Sequence, residues 1–327
     1  MGEKKFKKNK HTRTKKTYIK QVRNKDYRKV ILARIVAILA IVIFLYYGAK
    51  NYNVSLSPKP EIYVSSYNLM QADTLLVTVK NETNKITGKF GDINLRFFNG
   101  ENDNGWIAIT GIPINKNPGD YKLSINVPGI DTFKKNITVL KRNFPLTKLA
   151  ITPELLNKGY TAKKIVTTID SIENKALNEV LNVINPDIYV KKPFIYPLSD
   201  INVVGNFGDI RAAQGYQVQH FGVDLKAAMG TFVYAVNDGK AVFMENLPNY
   251  GKMVIIDHGF GMYSLYLHLS EFKVTKGQMV TQGDIVALSG DTGYATGPHL
   301  HFSIKVRGAA LDPLKFIGAT QTSWIKF

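Results

Sequence analysis

Residues 296–306 read Thr-Gly-Pro-His-Leu-His-Phe-Ser-Ile-Lys-Val. After Pro298 the run alternates, with His299, His301, Ser303 and Lys305 in one set and Leu300, Phe302, Ile304 and Val306 in the other. An extended chain sends successive side chains to opposite faces, so the pattern predicts a half-buried strand with both histidines on one side. Upstream, His220-Phe-Gly-Val-Asp224 sets a histidine and a carboxylate four residues apart, an even spacing that also shares a strand face. Five of the six histidines fall between His220 and His301. The chain has no cysteine, so disulfides, thiolate metal sites and cysteine nucleophiles are excluded, and any transition metal must rest on His, Asp or Glu. Two imidazole nitrogens and one carboxylate oxygen would leave a coordination position open for water, the arrangement of a catalytic zinc. The H-E-x-x-H signature is absent, so a general base would come from elsewhere.

Towards the N-terminus, between Glu61 and Arg142, five β-rich runs recur: Thr74–Val79, Ile93–Phe98, Trp106–Ile112, Tyr121–Val127 and Phe133–Leu140. Asn, Asp, Gly and Pro separate them, which predicts a small antiparallel sandwich that resembles the immunoglobulin-like type in pattern alone and acts as a spacer or docking domain. From 162 to 185 the period changes. Ile165, Ile169, Ile172, Ala176, Val180 and Ile184 recur every three or four residues, predicting an amphipathic helix that packs on a neighbour and stops before Pro186. The stretch 191–197, opening on Lys191-Lys192-Pro193, reads as a linker.

The chain has 327 residues, enough for about two domains, and is 45% hydrophobic and 21% charged, which excludes collagen, global disorder and a polytopic transporter. Its net charge is +18, and +11 of that lies in the first 29 residues, which hold 13 basic and 2 acidic side chains. An apolar run follows, Val30 to Ala49, interrupted only by Arg34. At 1.5 Å per residue, 20 helical residues span about 30 Å, the thickness of a bilayer's hydrocarbon core. Arg34 can snorkel to the headgroups, and Tyr46 and Tyr47 stand at the expected interfacial belt. The run exceeds the apolar stretch of a cleavable signal, and tyrosines occupy the place of its small residues, so an uncleaved anchor is expected. The basic side then stays in the cytoplasm, where it meets anionic lipid, and everything after Lys50 lies outside. Nucleic acid is not an expected partner.

In the C-terminal region the motifs follow a familiar order. They run Gly205-Asn-Phe-Gly208, His220-Phe-Gly222-Val-Asp224, Gly251-Lys-Met-Val-Ile-Ile-Asp-His258-Gly259, Tyr266-Leu-His268, Gly277-Gln-Met-Val-Thr-Gln-Gly283-Asp, Gly290-Asp-Thr-Gly293, Thr296-Gly-Pro-His299-Leu-His301-Phe302 and Asp312-Pro313. From Gly205 to Phe316 the chain resembles the M23 (lysostaphin/LytM-type) zinc metallopeptidases, which cut peptidoglycan peptides. The resemblance implies zinc ligation by His220, Asp224 and His301, and catalytic roles for His268 and His299 on the water and the tetrahedral intermediate. Non-catalytic members lack some of these groups, whereas this chain has all five. No family role attaches to His258, which is expected to be structural, and Glu271 is a poor candidate for the base.

The expected plan is mainly β, with a basic cytoplasmic tail (1–29), a transmembrane helix (30–49), a β sandwich (50–145), a helical linker (146–200), the peptidase domain (201–317) and a C-terminal tail (318–327). The expected protein is a zinc endopeptidase of cell-wall peptidoglycan, held by one helix in the bacterial cytoplasmic (inner) membrane with its catalytic domain outside. Two other readings stand beside it. One is a non-hydrolytic activator of other wall hydrolases. The second is an envelope adaptor with a lipoyl-like barrel, suggested by the 277–286 hairpin but lacking a lysine at the tip for a carrier group to modify. A protein activator of the enzyme is a further expected kind of partner.

Overall fold

In a computed structural model the described residues are 11–51, 58–99 and 105–324. The first ten residues of the basic tail and the last three of the C-terminal tail lie outside them. Met1–Ser57 and Pro58–Phe327 are two compact units. The first is a helix, His11–Asn51, whose stretch Asp26–Tyr47 is exposed throughout and has a mean hydropathy of 2.6, long and apolar enough to cross a membrane.

The second unit is mostly β. Its N-terminal part is a two-sheet sandwich. Glu61–Val64, Thr74–Lys80, Gly105–Gly111 and Phe97–Asn99 form one sheet, in that order. Asn68–Met70, Phe133–Leu140, Gly119–Asn126, Thr87–Phe90 and Ile93–Leu95 form the other, in which the Asn68–Met70 pairing is parallel. Leu75, Val77, Val79, Phe90, Leu123, Ile125 and Ile137 fill the space between. The expected strand Ile93–Phe98 is two strands: the chain leaves one sheet after Leu95 and enters the other at Phe97. Thr74–Lys80 is buried on both faces. Its odd-numbered residues face the sandwich core, whereas Leu76 joins Phe98, Ile107 and Ile109 in a second core with Leu311 and Phe316 from the chain's far end. Arg142 ties the same join together, reaching Asp312 at 3.1 Å and also pairing with Asp73.

The functional region is built on a ten-stranded sheet. At its centre His299–Val306 lies between Val223–Lys226 and Met262–Phe272, with Asp224 and Leu267 both opposite His301. Even-numbered residues of His299–Val306 are buried in the core, and the odd-numbered ones line the other face, as the alternation requires.

A helical segment covers that other face. Thr152 and Thr161 cap Pro153–Asn157 and Ala162–Thr168 through their hydroxyls, and a π turn, Ile169–Glu173, leads into Asn174–Leu181. The π turn inserts one extra residue, so the expected apolar stripe is not kept. From the end of the turn onward Glu173, Leu177 and Leu181 are buried, whereas Ile172, within the turn, is 51% exposed and Ile184 39%. The helix also ends at Leu181, five residues before Pro186.

Candidate active site

His220 stands just before Val223–Lys226, Asp224 on that strand and His301 on its neighbour. His220 Nε2, Asp224 Oδ1 and His301 Nδ1 converge, each 2.9 Å from the other two. Close approach of the backbone permits this at Gly222 and Gly205: a Cβ at Gly222 would strike His301 Nε2, and one at Gly205 would strike Asp224 Oδ2.

The surrounding hydrogen bonds decide what these atoms offer. His220 Nδ1 is 2.7 Å from the Asn206 carbonyl, which only accepts, so the proton is on Nδ1 and the Nε2 lone pair faces inward. His301 Nε2 is 2.9 Å from Ser303 Oγ; with its proton there, Nδ1 likewise turns a lone pair to the centre. Three acceptors aimed at one point repel one another unless a cation sits among them. The donor set of two imidazoles and a carboxylate therefore fits zinc, and second partners orient all three groups. For Asp224 that partner is Arg211, whose Nη2 lies 2.5 Å from Oδ2. Burial by itself would raise the Asp224 pKa, but the neighbouring His220 and His301 favour the charged carboxylate and hold it well below the carboxylate range. Burial, reinforced by the charge of His220, lowers His301 to about 4 against the opposing pull of Asp224.

The other two histidines flank this cluster. His299 gives its Nδ1 proton to the Gly297 carbonyl at 2.8 Å, and its Nε2 is 3.7 Å from Asp224 Oδ1. His268 donates from Nδ1 to the Thr292 carbonyl at 2.9 Å, and its ring centre is 4.7 Å from that of His299. Both rings thus keep Nε2 as a free lone pair when neutral. Burial, and then the charges of His299 and His301, push His268 down to about 3. All five predicted residues line one cavity of about 470 Å³. His258 lies apart and fully buried, bonded to the Asp238 carbonyl and to Ser264 Oγ. Glu271 pairs with Lys273 at 2.6 Å, away from the cluster.

His268 has φ 59, a left-handed backbone at an irregularity in its strand pairing. Its N–H is bonded at 3.1 Å to the carbonyl of Tyr250, in the turn 248–250. That turn hangs on Glu173, a residue the sequence did not single out. Its carboxylate accepts from Asn249 N at 2.6 Å, Asn249 Nδ2 at 2.9 Å and Tyr250 N at 3.0 Å. Asn249 in turn accepts from Tyr294 N, and Tyr294 Oη donates to the Ala150 carbonyl, closing the wall of the cavity. The π turn is what places Glu173 on the inner face.

Residues 218–313 match Peptidase family M23. The chain carries an M23 peptidase domain. Within the relatives, peptidoglycan DD-endopeptidase ShyA of Vibrio cholerae serotype O1 is 45% identical over 96 residues, 29% of this chain and 22% of its own length. Glycyl-glycine endopeptidase ALE-1 of Staphylococcus capitis is 38% identical over 105 residues, 30% of this chain and 29% of its own. The M23-bearing chain thus spans under a third of the length of either relative. A crystal structure from Pseudomonas aeruginosa assigned to peptidase M23 is 26% identical, with a TM-score of 0.50 over 73% of this chain and 89% of its own.

Proposed function

We propose that this chain is a membrane-anchored zinc metalloendopeptidase that hydrolyses the peptide cross-links or bridges of cell-wall peptidoglycan. The observation that carries the reading is the triad of inward lone pairs from His220, Asp224 and His301 with two further histidines presenting free Nε2 atoms beside it. The M23 domain and the wall endopeptidases among its relatives supply the substrate class.

His220 Nε2, Asp224 Oδ1 and His301 Nδ1 would hold the metal. When bound, zinc supplies a water acidified to a pKa of about 7 and polarises the scissile carbonyl. Arg211 fixes the Asp224 carboxylate so that one oxygen faces the metal position. His299 takes the proton of the attacking water on Nε2 and returns it to the leaving amine. His268 carries a proton on Nε2 only as the imidazolium, because Nδ1–H is committed to Thr292. A developing oxyanion provides the negative charge that favours that form, so His268 Nε2 takes up a proton from solvent as the tetrahedral intermediate appears, donates it in a hydrogen bond to the oxyanion, and returns it to solvent when the intermediate collapses.

The apolar helix and the basic residues before it support a single-pass anchor in the bacterial cytoplasmic membrane, N-terminus inside and contacting anionic lipid, with the domain facing the wall. The test is digestion of purified sacculi by the full-length, zinc-loaded protein in detergent, with mass spectrometry of what is released. Defined peptide fragments are expected from the wild type and none from His301→Ala; no release by the wild type would refute the reading.

A further inference from the structure

The strand that carries His299 and His301 continues on the same face through Ser303 to Lys305, and Lys305 lines the same cavity as the metal triad. Its surroundings are unusual for a lysine. The strand opposite presents Tyr263 beside it, whose hydroxyl is already given to the Val183 carbonyl, and Leu265 and Leu177 line the cavity on that side. The side chain is partly buried, and loss of solvent lowers its pKa. No hydrogen bond or ion pair to it is found among the described residues. Asp224 is the only carboxylate among the described residues lining the cavity, and Arg211, His220 and His301 engage it.

A desolvated ammonium without a counter-ion costs free energy that an arriving anion would recover. The four-residue spacing between His301 and Lys305 corresponds to about 14 Å of extended chain, so a peptide laid along the groove would bring a group about four residues from the scissile bond to the ammonium. We infer that Lys305 anchors a free carboxylate of the bound wall peptide, at a subsite remote from the bond that is cut. The inference rests on the peptidase reading of the groove only for the identity of the peptide. A carboxylate is favoured over a neutral amide because Lys offers a point charge and three donors, and a charged acceptor makes the stronger hydrogen bond.

The test measures binding before cleavage. Two fluorescent wall peptides, identical except that side-chain and terminal carboxyl groups are free in one and amidated in the other, are titrated into the full-length, metal-stripped protein in detergent. A charge-assisted hydrogen bond should favour the free-acid peptide by roughly 10–100-fold. Lys305→Met should bring the free acid down to the affinity of the amide while leaving the amide within about twofold, and Lys305→Arg should restore most of the preference. Unchanged amide binding also reports that the Met variant is folded. Equal binding of both peptides by the wild type, absence of binding of either, or an equal loss for both in Lys305→Met overturns the assignment. Preference for the free acid without any release from sacculi would refute the peptidase and leave Lys305 as an anion anchor.

Discussion

The sandwich and the sheet behind it are both closed by aliphatic and aromatic side chains, yet they bury different polar groups. Among the described residues of the sandwich, the buried polar ones are Thr74, Thr78, Glu82 and Thr110, and Glu82 is held by its own turn at Asn84. In the region of the larger sheet the chain buries His220, Asp224, Asn249 and His268 around the cavity, and Asp257 and His258 apart from it. Burying ionisable groups costs stability, so their concentration in one half marks where chemistry rather than packing sets the sequence.

The strongest way to break the contrast is at the histidines. His299→Ala and His268→Ala should each lower hydrolysis by roughly 10²–10⁴ with zinc content and fold retained, whereas His301→Ala should lose metal and activity together. Metal analysis and sacculus digestion read both. Retention of zinc by His301→Ala together with its loss from His299→Ala would exchange the roles within the H-x-H pair.

In the sandwich the opposite signature is expected. Leu123 is fully buried, and Leu123→Ala should cost about 2–5 kcal/mol in chemical denaturation with kcat on soluble wall peptides unchanged. A fall in kcat at temperatures where the variant is folded would show that the sandwich participates in the chemistry.

His258 separates titration from catalysis. Burial holds it down to about 4, against the hydrogen bond and charge contributed by Asp238. The unfolded chain, with an ordinary histidine near 6.5, therefore binds more protons between those values, and stability is lost as pH falls from about 6.5 to 4. The loss from this residue should approach ~3 kcal/mol and level off below pH 4, and His258→Gln should flatten that part of the profile. Equal slopes in the two proteins would place the pH dependence elsewhere.

Glu173 sharpens the comparison from the side of the helix. Glu173→Ala leaves Asn249 N and Tyr250 N without their acceptor, costing about 1–3 kcal/mol, and slackens the turn that holds His268. Its kcat should fall about tenfold with zinc content unchanged, and Glu173→Gln should recover most of it. A loss confined to KM would assign Glu173 to the groove wall rather than to His268.

The sequence and the structure agree where local pattern carries the information. Thr74–Lys80 and Phe133–Leu140 stand where β-rich runs predict them, and strand alternation put His299 and His301 on one side. The sheet crossing at Arg96 was illegible, because apolar residues continue on either side of it without a turn signal. The π turn was illegible too: nothing in Ile-Asp-Ser-Ile-Glu marks an extra residue, and the groups that need Glu173 lie 76 and 77 positions away. Arg211 escaped notice for a related reason. Its partner Asp224 is reached only after a hairpin folds back, 13 residues on.

The double burial of Thr74–Lys80 has a consequence for any shortened form of the protein. Leu76, Phe98, Ile107 and Ile109 would become a bare greasy wall on an excised sandwich, and Leu311 and Phe316 would become its counterpart on an excised catalytic piece. Each fragment would carry half of a torn seam, inviting it to stick to its own copies before it could serve as a faithful miniature of the whole.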